Sequence, residues 1–506
     1  MRNFLTFIMC FASIAFAACD NDKLPEPVLD VVTDSDIIVF SASGGNVEII
    51  VETNVADWTV VSNKDWCIVE KLDGKFSISC SLNENLEAAE DATVTVSARE
   101  TSKIITVKQP GLTNLSENGT SNSYIVTQSG TYSFSANVIG NGAAGIIGGA
   151  VFHTNNPAIA PESAKLLWQD YFNNGAGLIS SVKLDKTKTR VIFTTPQTFV
   201  HGNALIAVCD ASDNILWSWH IWMPETEIIS LNSETGYEIM NLNLGAITAE
   251  RANPKNYGML YQWGRKEPFP AAATLTGSTT TVGAPLYDMQ GNGISIQNSS
   301  WTDLTNNNLI YAIQNPTVCL SNYAQYPTSR DWLKADKSEN ALWGNPNGNE
   351  KDSENNYINK GSKSCYDPCP VGWRVPPVDV FRNFATLNAY NMAYDISDFN
   401  IADMDNNGIL DIADYNYGWV FKLGENVSSY FSAAARFDGQ YAMLMGSVSG
   451  YWGTYWCNAP YNNNNGTSFV PLSFQVKNYN GSDGIAIMMF FNASRADAYS
   501  VRCIKE

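Results

Sequence analysis

The feature that most restricts the fold is a two-residue alternation of apolar and polar side chains, which begins near Asp34 and recurs between glycine- and asparagine-rich breaks. Val47, Ile49 and Val51 fall on one face of such a run and Glu48 and Glu52 on the other. Phe76, Ile78, Cys80 and Leu82 alternate with Lys75, Ser77, Ser79 and Ser81, and Ile105-Thr106-Val107 closes the set before Gln109-Pro110-Gly111. Successive side chains of an extended strand leave opposite faces of a sheet, so each run buries one face and wets the other. With turns between them, these runs predict a β-sandwich of about 80 residues over 32–111.

The same logic continues over 112–225. Tyr132 and Phe134 alternate with Thr131, Ser133 and Ser135. Leu205, Ala207 and Cys209 lead through Asp210–Asn214 into Ile215-Leu216-Trp217-Ser218-Trp219-His220-Ile221-Trp222. This predicts a second β-sandwich, with a hairpin whose aromatics lie on both faces; both need cover, and the next domain is a candidate for one. Residues 226–506 are loop-rich and heavy in Asn, Gly, Tyr and Trp. There Val380, Phe381, Phe384 and Leu387 recur at helical spacing, with Pro377 suited to a first turn. The fold class expected is mainly β with an α+β C-terminal part.

The start of the chain is of another kind. Met1-Arg2-Asn3 is basic and 4–18 carry no charge, the pattern of a secretory signal over 1–18. The run is shorter than the ~20 apolar residues of a membrane span. Phe16-Ala17-Ala18-Cys19 resembles a bacterial lipobox, with Phe16 where Leu is usual. The resemblance implies cleavage before Cys19, lipidation of its thiol and an outer-membrane anchor, because two or more acyl chains hold a protein on a bilayer where one does not. An ordinary signal cut near Ala18 is the alternative. Asp20-Asn21-Asp22 resembles the surface-export signal of Bacteroidota lipoproteins, and 19–31 reads as a tether.

Composition narrows the functions. Only 16% of residues are charged against 12% aromatic, with 36 Gly and 14 Trp, as in exported β-proteins. A net charge of −19 argues against nucleic acid, whose phosphates must be met by Lys and Arg. His153, His201 and His220 are too scattered for a zinc site or histidine-based catalysis. Of ten cysteines, Cys10 leaves with the signal and Cys19 is the anchor; the remaining eight permit disulfides in an oxidising compartment. Cys67 with Cys80 could cross-link neighbouring strands or be two small buried hydrophobes.

Three blocks of motifs carry family resemblances. Ser43-Gly44-Gly45, Asn54 to Trp58-Thr59-Val60, Asp65-Trp66 and Ile105-Thr106-Val107-Lys108-Gln109 resemble the BACON family, an immunoglobulin-like module of Bacteroidota surface proteins. That family was named for suspected carbohydrate binding, and such modules also serve as spacers; Trp58 and Trp66, in strand patterns, read as core. Ser121-Asn122-Ser123, Gly202-Asn203-Ala204 and Trp217-Ser218-Trp219-His220 resemble a module of fimbrillin-like lipoproteins. Leu242-Asn243-Leu244-Gly245-Ala246, Tyr257 to Arg265, Cys369-Pro370-Val371-Gly372-Trp373-Arg374 and Val501-Arg502-Cys503 resemble, in this order, the Fibrobacter succinogenes major paralogous domain. That family is related to C-type lectin-like and formylglycine-generating folds, which implies a C-type lectin-like domain over 226–506. Two blocks depart from the pattern: Met240-Asn241-Leu242-Asn243-Leu244 stands for Met-Asp-Arg-Asn-Leu, and Trp456-Cys457-Asn458 for Trp-Ser-Ser. The resemblance also implies a disulfide between Cys369 and Cys503; Cys319 with Cys365 is a second pairing.

Among candidate sites, the sharpest local motif is Asp403-x-Asp405-x-Asn407-Gly408-Ile409-x-Asp411-x-x-Asp414. Oxygen donors at loop positions 1, 3, 5, 7, 9 and 12, with Gly at 6, are what Ca²⁺ coordination requires. Ile409 would offer its carbonyl, Asp411 a water-mediated contact, and Asp414 a shorter reach than the usual Glu. The alternative is an acidic, solvated connection. Tyr451 and Trp452, ahead of Tyr455-Trp456, Asn458 and 461–465, combine rings that stack on sugars with amides that bond hydroxyls. Trp456 reads as core, and Tyr451 and Trp452 as the exposed, ligand-binding pair; the alternative is that all four aromatics belong to the core. No nucleophile elbow, phosphate loop, HExxH or distinctive carboxylate pair occurs, so catalysis is not expected. The function expected is a lipid-anchored surface protein that binds a glycan or a surface or fimbrial protein; the alternative is a purely structural surface or fimbria-assembly component.

Overall fold

A computed structural model describes residues 26–143, 146–147, 150–151, 156–300, 308–321, 330–333, 339–385, 396–462, 466–477 and 483–506. Cys19 and the leader lie outside the described residues. The fold is mainly β, and its contacts divide it into two compact units.

In the first unit, alternation becomes two four-stranded sheets around one core. One runs Leu29–Val32, Gly45–Thr53, Lys75–Cys80, Cys67–Leu72; the other runs Ile37–Val39, Thr101–Lys108, Ala92–Ala98, Thr59–Ser62. Ala92, Val94, Val96 and Ala98 are buried while Thr93, Thr95 and Ser97 are not, so a one-residue slip would turn the whole apolar set outward. Phe76, Ile78, Val94 and Val107 meet in the middle with Trp58 at their edge. The Lys71 ammonium lies 4.5 Å over the Trp58 ring and donates to its carbonyl at 2.6 Å. Trp58 is therefore core, with its outer side covered; Trp66 is half-buried against the same cluster. Gly44, at φ +79°, is required: a Cβ there would stand 2.1 Å from the Cys80 carbonyl oxygen.

In the larger unit the Trp-rich hairpin is central. Its six-stranded sheet runs Ser123–Ile125, Ile215–Met223, Gly202–Cys209, Ser163–Gln169, Leu286–Tyr287, Gly293–Ile294. The last two strands come from beyond residue 225. A four-stranded sheet of Ser181–Leu184, Arg190–Thr194, Thr131–Ser135 and Thr113–Asn114 packs on one face, where Phe134 meets Trp219 at 5.1 Å. Ser218 and Trp222, on the alternate positions, meet the C-terminal region instead: Ser218 accepts from Lys266 Nζ at 2.7 Å and Trp222 Nε1 donates to the Ala246 carbonyl at 2.8 Å. One core cluster thus runs from Tyr124 to Cys503. The segments 112–225 and 226–506, expected as separate domains, share an interior.

The C-terminal part is built on a nine-stranded sheet whose longest pair is Thr467–Lys477 with Asp483–Ser494. A smaller sheet holds Ile504–Lys505 between Glu238–Met240 and Trp373–Arg374. The helix expected after Pro377 is a 3₁₀ helix over Val378–Phe384 with Pro377 as its N-cap; it buries Val380, Phe381 and Phe384, and Leu387 lies outside the described residues. The one described α-helix is Asn308–Gln314, packed on Ile215–Met223.

Candidate functional site

The acidic loop reverses direction through Asn406 (φ 58°) and Gly408 (φ 83°), left-handed positions that suit these residue types. The turn brings carboxylate oxygens of Asp403, Asp405 and Asp414 within 4.8 Å of one another. Asp414 is buried, accepting from Met404 N at 2.6 Å and from Asp411 N at 3.0 Å. Asp403 Oδ2 accepts from Gly408 N at 2.8 Å, which holds the carboxyl below its usual range, while Asp403 Oδ1 is buried without a hydrogen-bond partner. Asn407 stays beside the cluster, its amide donating to Asp405 Oδ2 at 2.9 Å, and the Ile409 side chain is exposed. Asp411 does not join. Its Oδ1 accepts from Ala413 N at 2.7 Å and caps the 3₁₀ turn Ile412–Asp414; the expectation at the ninth loop position is contact through a water, not direct ligation.

The aromatic segment divides in two. Tyr455 and Trp456 are fully buried; the Tyr455 hydroxyl donates to the Ser432 carbonyl at 2.9 Å, and Trp456 Nε1 to that of Tyr261 at 2.8 Å. Tyr451 and Trp452 are half-buried. Trp452 starts the strand Trp452–Tyr455, its indole donates to Ser473 Oγ at 3.1 Å, and the Arg436 guanidinium stacks 4.4 Å from its ring. Asn458 belongs to the interior, bonded to Asn345 at 2.8 Å and the Lys360 carbonyl at 3.1 Å, so it offers no amide to a surface ligand. Residues 463–465 lie outside the described residues.

The motif blocks prove to be seams. Ser121 Oγ donates to the Cys369 carbonyl (2.6 Å), Asn122 Nδ2 to those of Cys365 (2.8 Å) and Asp367 (2.9 Å), and Ser123 Oγ to that of Pro368 (2.6 Å). Trp217 Nε1 donates to Asn122 Oδ1 at 2.8 Å, and His220 Nε2 meets Asn203 Oδ1 at 2.9 Å. Burial pushes His220 down to about 3, so it sits there neutral. The C-terminal blocks meet likewise. Arg502 is buried with Nε on Asn243 Oδ1 (2.9 Å), Nη1 on the Asn241 carbonyl (3.0 Å) and Nη2 on that of Tyr430 (2.8 Å), and its guanidinium lies 4.2 Å from the Phe431 ring. Cys369 and Cys503 form a disulfide. Cys319 and Cys365, the second expected pair, are separate buried thiols, as is Cys457; Cys67 and Cys80 face each other across adjacent strands, also unjoined.

One cavity escaped sequence reasoning. Asp170, His201 and Lys255 line a space of about 220 Å³ with Asn203 and several alanines. They come from three separate segments, and none of the three belongs to a motif block, although Asn203 of Gly202-Asn203-Ala204 lies beside them.

No family model matches the chain, and no curated protein matches it. Among solved structures, an NMR structure of a protein from Bacteroides thetaiotaomicron is 18% identical, covers 19% of this chain and 95% of its own, and has a TM-score of 0.15. A titin domain is 17% identical over 17% of this chain and 92% of its own, with a TM-score of 0.13. An endo-fucoidan hydrolase of glycoside hydrolase family 107 is 13% identical over 39% of this chain and 28% of its own, with a TM-score of 0.17. At such scores none carries an argument about fold or function.

Proposed function

We propose that the chain is a lipid-anchored protein of the outer-membrane surface, joined to the bilayer through Cys19, which binds a glycan or a surface or fimbrial protein and does not act as an enzyme. In this reading 32–111 is a BACON-like spacer. Residues 112–506 form the head, whose last part is of the Fibrobacter succinogenes major paralogous, C-type lectin-like kind. The observation that carries the binding role is the half-buried pair Tyr451 and Trp452. Trp452 is fixed by Ser473 and backed by Arg436, so its ring is ordered before any ligand arrives and little rotamer entropy is lost on stacking. Calcium belongs to the same reading. Asp403, Asp405 and Asp414 fit it, because three carboxylates this close repel one another without a cation and the orphaned Asp403 Oδ1 lacks any other partner.

The test is the double variant Tyr451→Ala, Trp452→Ala in the full chain, with circular dichroism as the fold check. Binding to a glycan array and attachment to cells are measured beside the parent protein. Loss of binding with the fold retained supports the reading. Unchanged binding removes this surface, and a parent protein that binds neither glycan nor cells leaves the purely structural role.

A further inference from the structure

The cavity lined by Asp170 lies within the larger unit and includes neither Tyr451 nor Trp452, and the binding role proposed above does not use it. Its polar groups are arranged asymmetrically. Asp170 Oδ1 accepts from Asn203 N at 2.7 Å and Oδ2 from Asn203 Nδ2 at 2.8 Å, so the carboxylate is rigidly held. Among the described residues it has no ion-pair partner; Lys255 contributes favourable charge from the rim without pairing. His201 Nδ1 lies 3.0 Å from the Pro224 carbonyl and donates to it, which in the neutral ring leaves Nε2 as an acceptor. Small and apolar residues such as Met259, Ala272 and Ala284 supply the rest of the lining.

A half-buried carboxylate without an ion-pair partner favours a cation, because the two hydrogen bonds from Asn203 offset only part of its desolvation. Burial pushes Asp170 up to about 6, which still leaves it ionised at neutral pH. The space of about 220 Å³ is below the roughly 300–1,000 Å³ of pockets for drug-sized ligands, which restricts an occupant to a few heavy atoms. An isolated amine would satisfy Asp170 but would meet repulsion from Lys255. A molecule with both charges meets neither problem.

We propose that this cavity binds a small zwitterion of α-amino-acid size, with Asp170 and His201 Nε2 receiving its ammonium, Lys255 its carboxylate, and the alanine-lined wall a short side chain. The amides of Asn203 hold Asp170 in place, and the wall of small residues sets the upper limit on side-chain size.

The test is titration calorimetry on the full chain with four probes: L-alanine, ethylamine, propionate and glucose. L-alanine is expected to bind best. Lys255→Met is expected to weaken it about tenfold, as for loss of one charge-assisted contact. Ala284→Leu, at the half-buried wall, is expected to abolish binding while leaving the melting temperature unchanged. Asp170→Asn is a further probe, but Asp170 also braces Asn203; the two rim variants keep the test valid if that variant unfolds. Ethylamine binding as tightly as alanine, indifference of alanine to Lys255→Met, preference for glucose, or no binding of any probe at millimolar concentration would each overturn the proposal. Trp452→Ala is expected to leave alanine binding unchanged, which separates this site from the glycan or protein surface.

Discussion

Replacing Cys369 and Cys503 together by alanine tests how much of the larger unit's stability rests on their link. The bridge spans 134 residues. In the chain-entropy model, cross-linking a loop of that length removes about 17 cal/mol/K from the unfolded ensemble, or about 5 kcal/mol at 25 °C. Strain relief and residual structure in the unfolded chain lower this, and the two lost sulfurs, both in the interior, add a small packing cost. The expected loss is therefore about 3–5 kcal/mol, a large share of the roughly 5–15 kcal/mol that a domain typically has. Urea unfolding followed by tryptophan fluorescence reads it directly, because only Trp58 and Trp66 of the 14 tryptophans lie before residue 112. The transition of the larger unit should move to much lower urea, and dithiothreitol should move the parent protein the same way and the variant not at all. A shift worth under about 1 kcal/mol would refute the reasoning; so would non-reducing peptide maps showing both thiols free.

Three further outcomes follow from the geometry. His220 is depressed to about 3 in the folded protein and takes up its proton near 6.5 once unfolded, so its contribution is complete above 6.5 and falls as pH drops towards 3. By pH 4.5 the loss is about 3 kcal/mol, and a His220→Gln variant should lack that part of the pH dependence in urea midpoints; an identical slope would contradict it. For the acidic loop, Ca²⁺ at a hundredfold excess over its Kd should raise stability by about 2.7 kcal/mol in thermal melts, and Asp403→Asn should erase the increase; a calcium-indifferent melt would leave the loop a solvated turn. Cys19→Ser should leave the protein unprocessed or released to the medium, and continued fractionation with the outer membrane after salt washing would count against the anchor.

The sequence made the first unit legible because each of its strands buries one face only. Ala92 to Ala98 encode a side as well as a strand, and Lys71 over Trp58 merely closes a core that the pattern had already drawn. The same reasoning weakened at Trp217–Trp222. Aromatics on both faces indicated two covers, but the second includes Ala246 and Lys266, residues whose proximity no local period encodes. Hence two expected domains share one interior. In the acidic loop, ligand spacing located Asp403, Asp405 and Asp414 together, yet Asp411 satisfies the same spacing and turns to cap a helix, since carboxylates serve backbone amides as readily as ions. Asp170, His201 and Lys255 had no signal at all. Each is ordinary where it stands, and only the tertiary fold makes them neighbours.

The pairing of Ile239 with Ile504, with Arg502 seated on Asn243, has a consequence for how such a chain can vary. A frame closed by residues some 260 positions apart hardly registers the length of what lies between them, since each doubling of a loop costs only about 0.6 kcal/mol in closure entropy. Segments between the seams can lengthen, shorten or change composition while the closing residues stay fixed. The arrangement separates tolerance from constraint: the closure term hardly resists a change of length between the seams, whereas substitutions at Asn243, Cys369, Arg502 or Cys503 remove contacts of the frame itself.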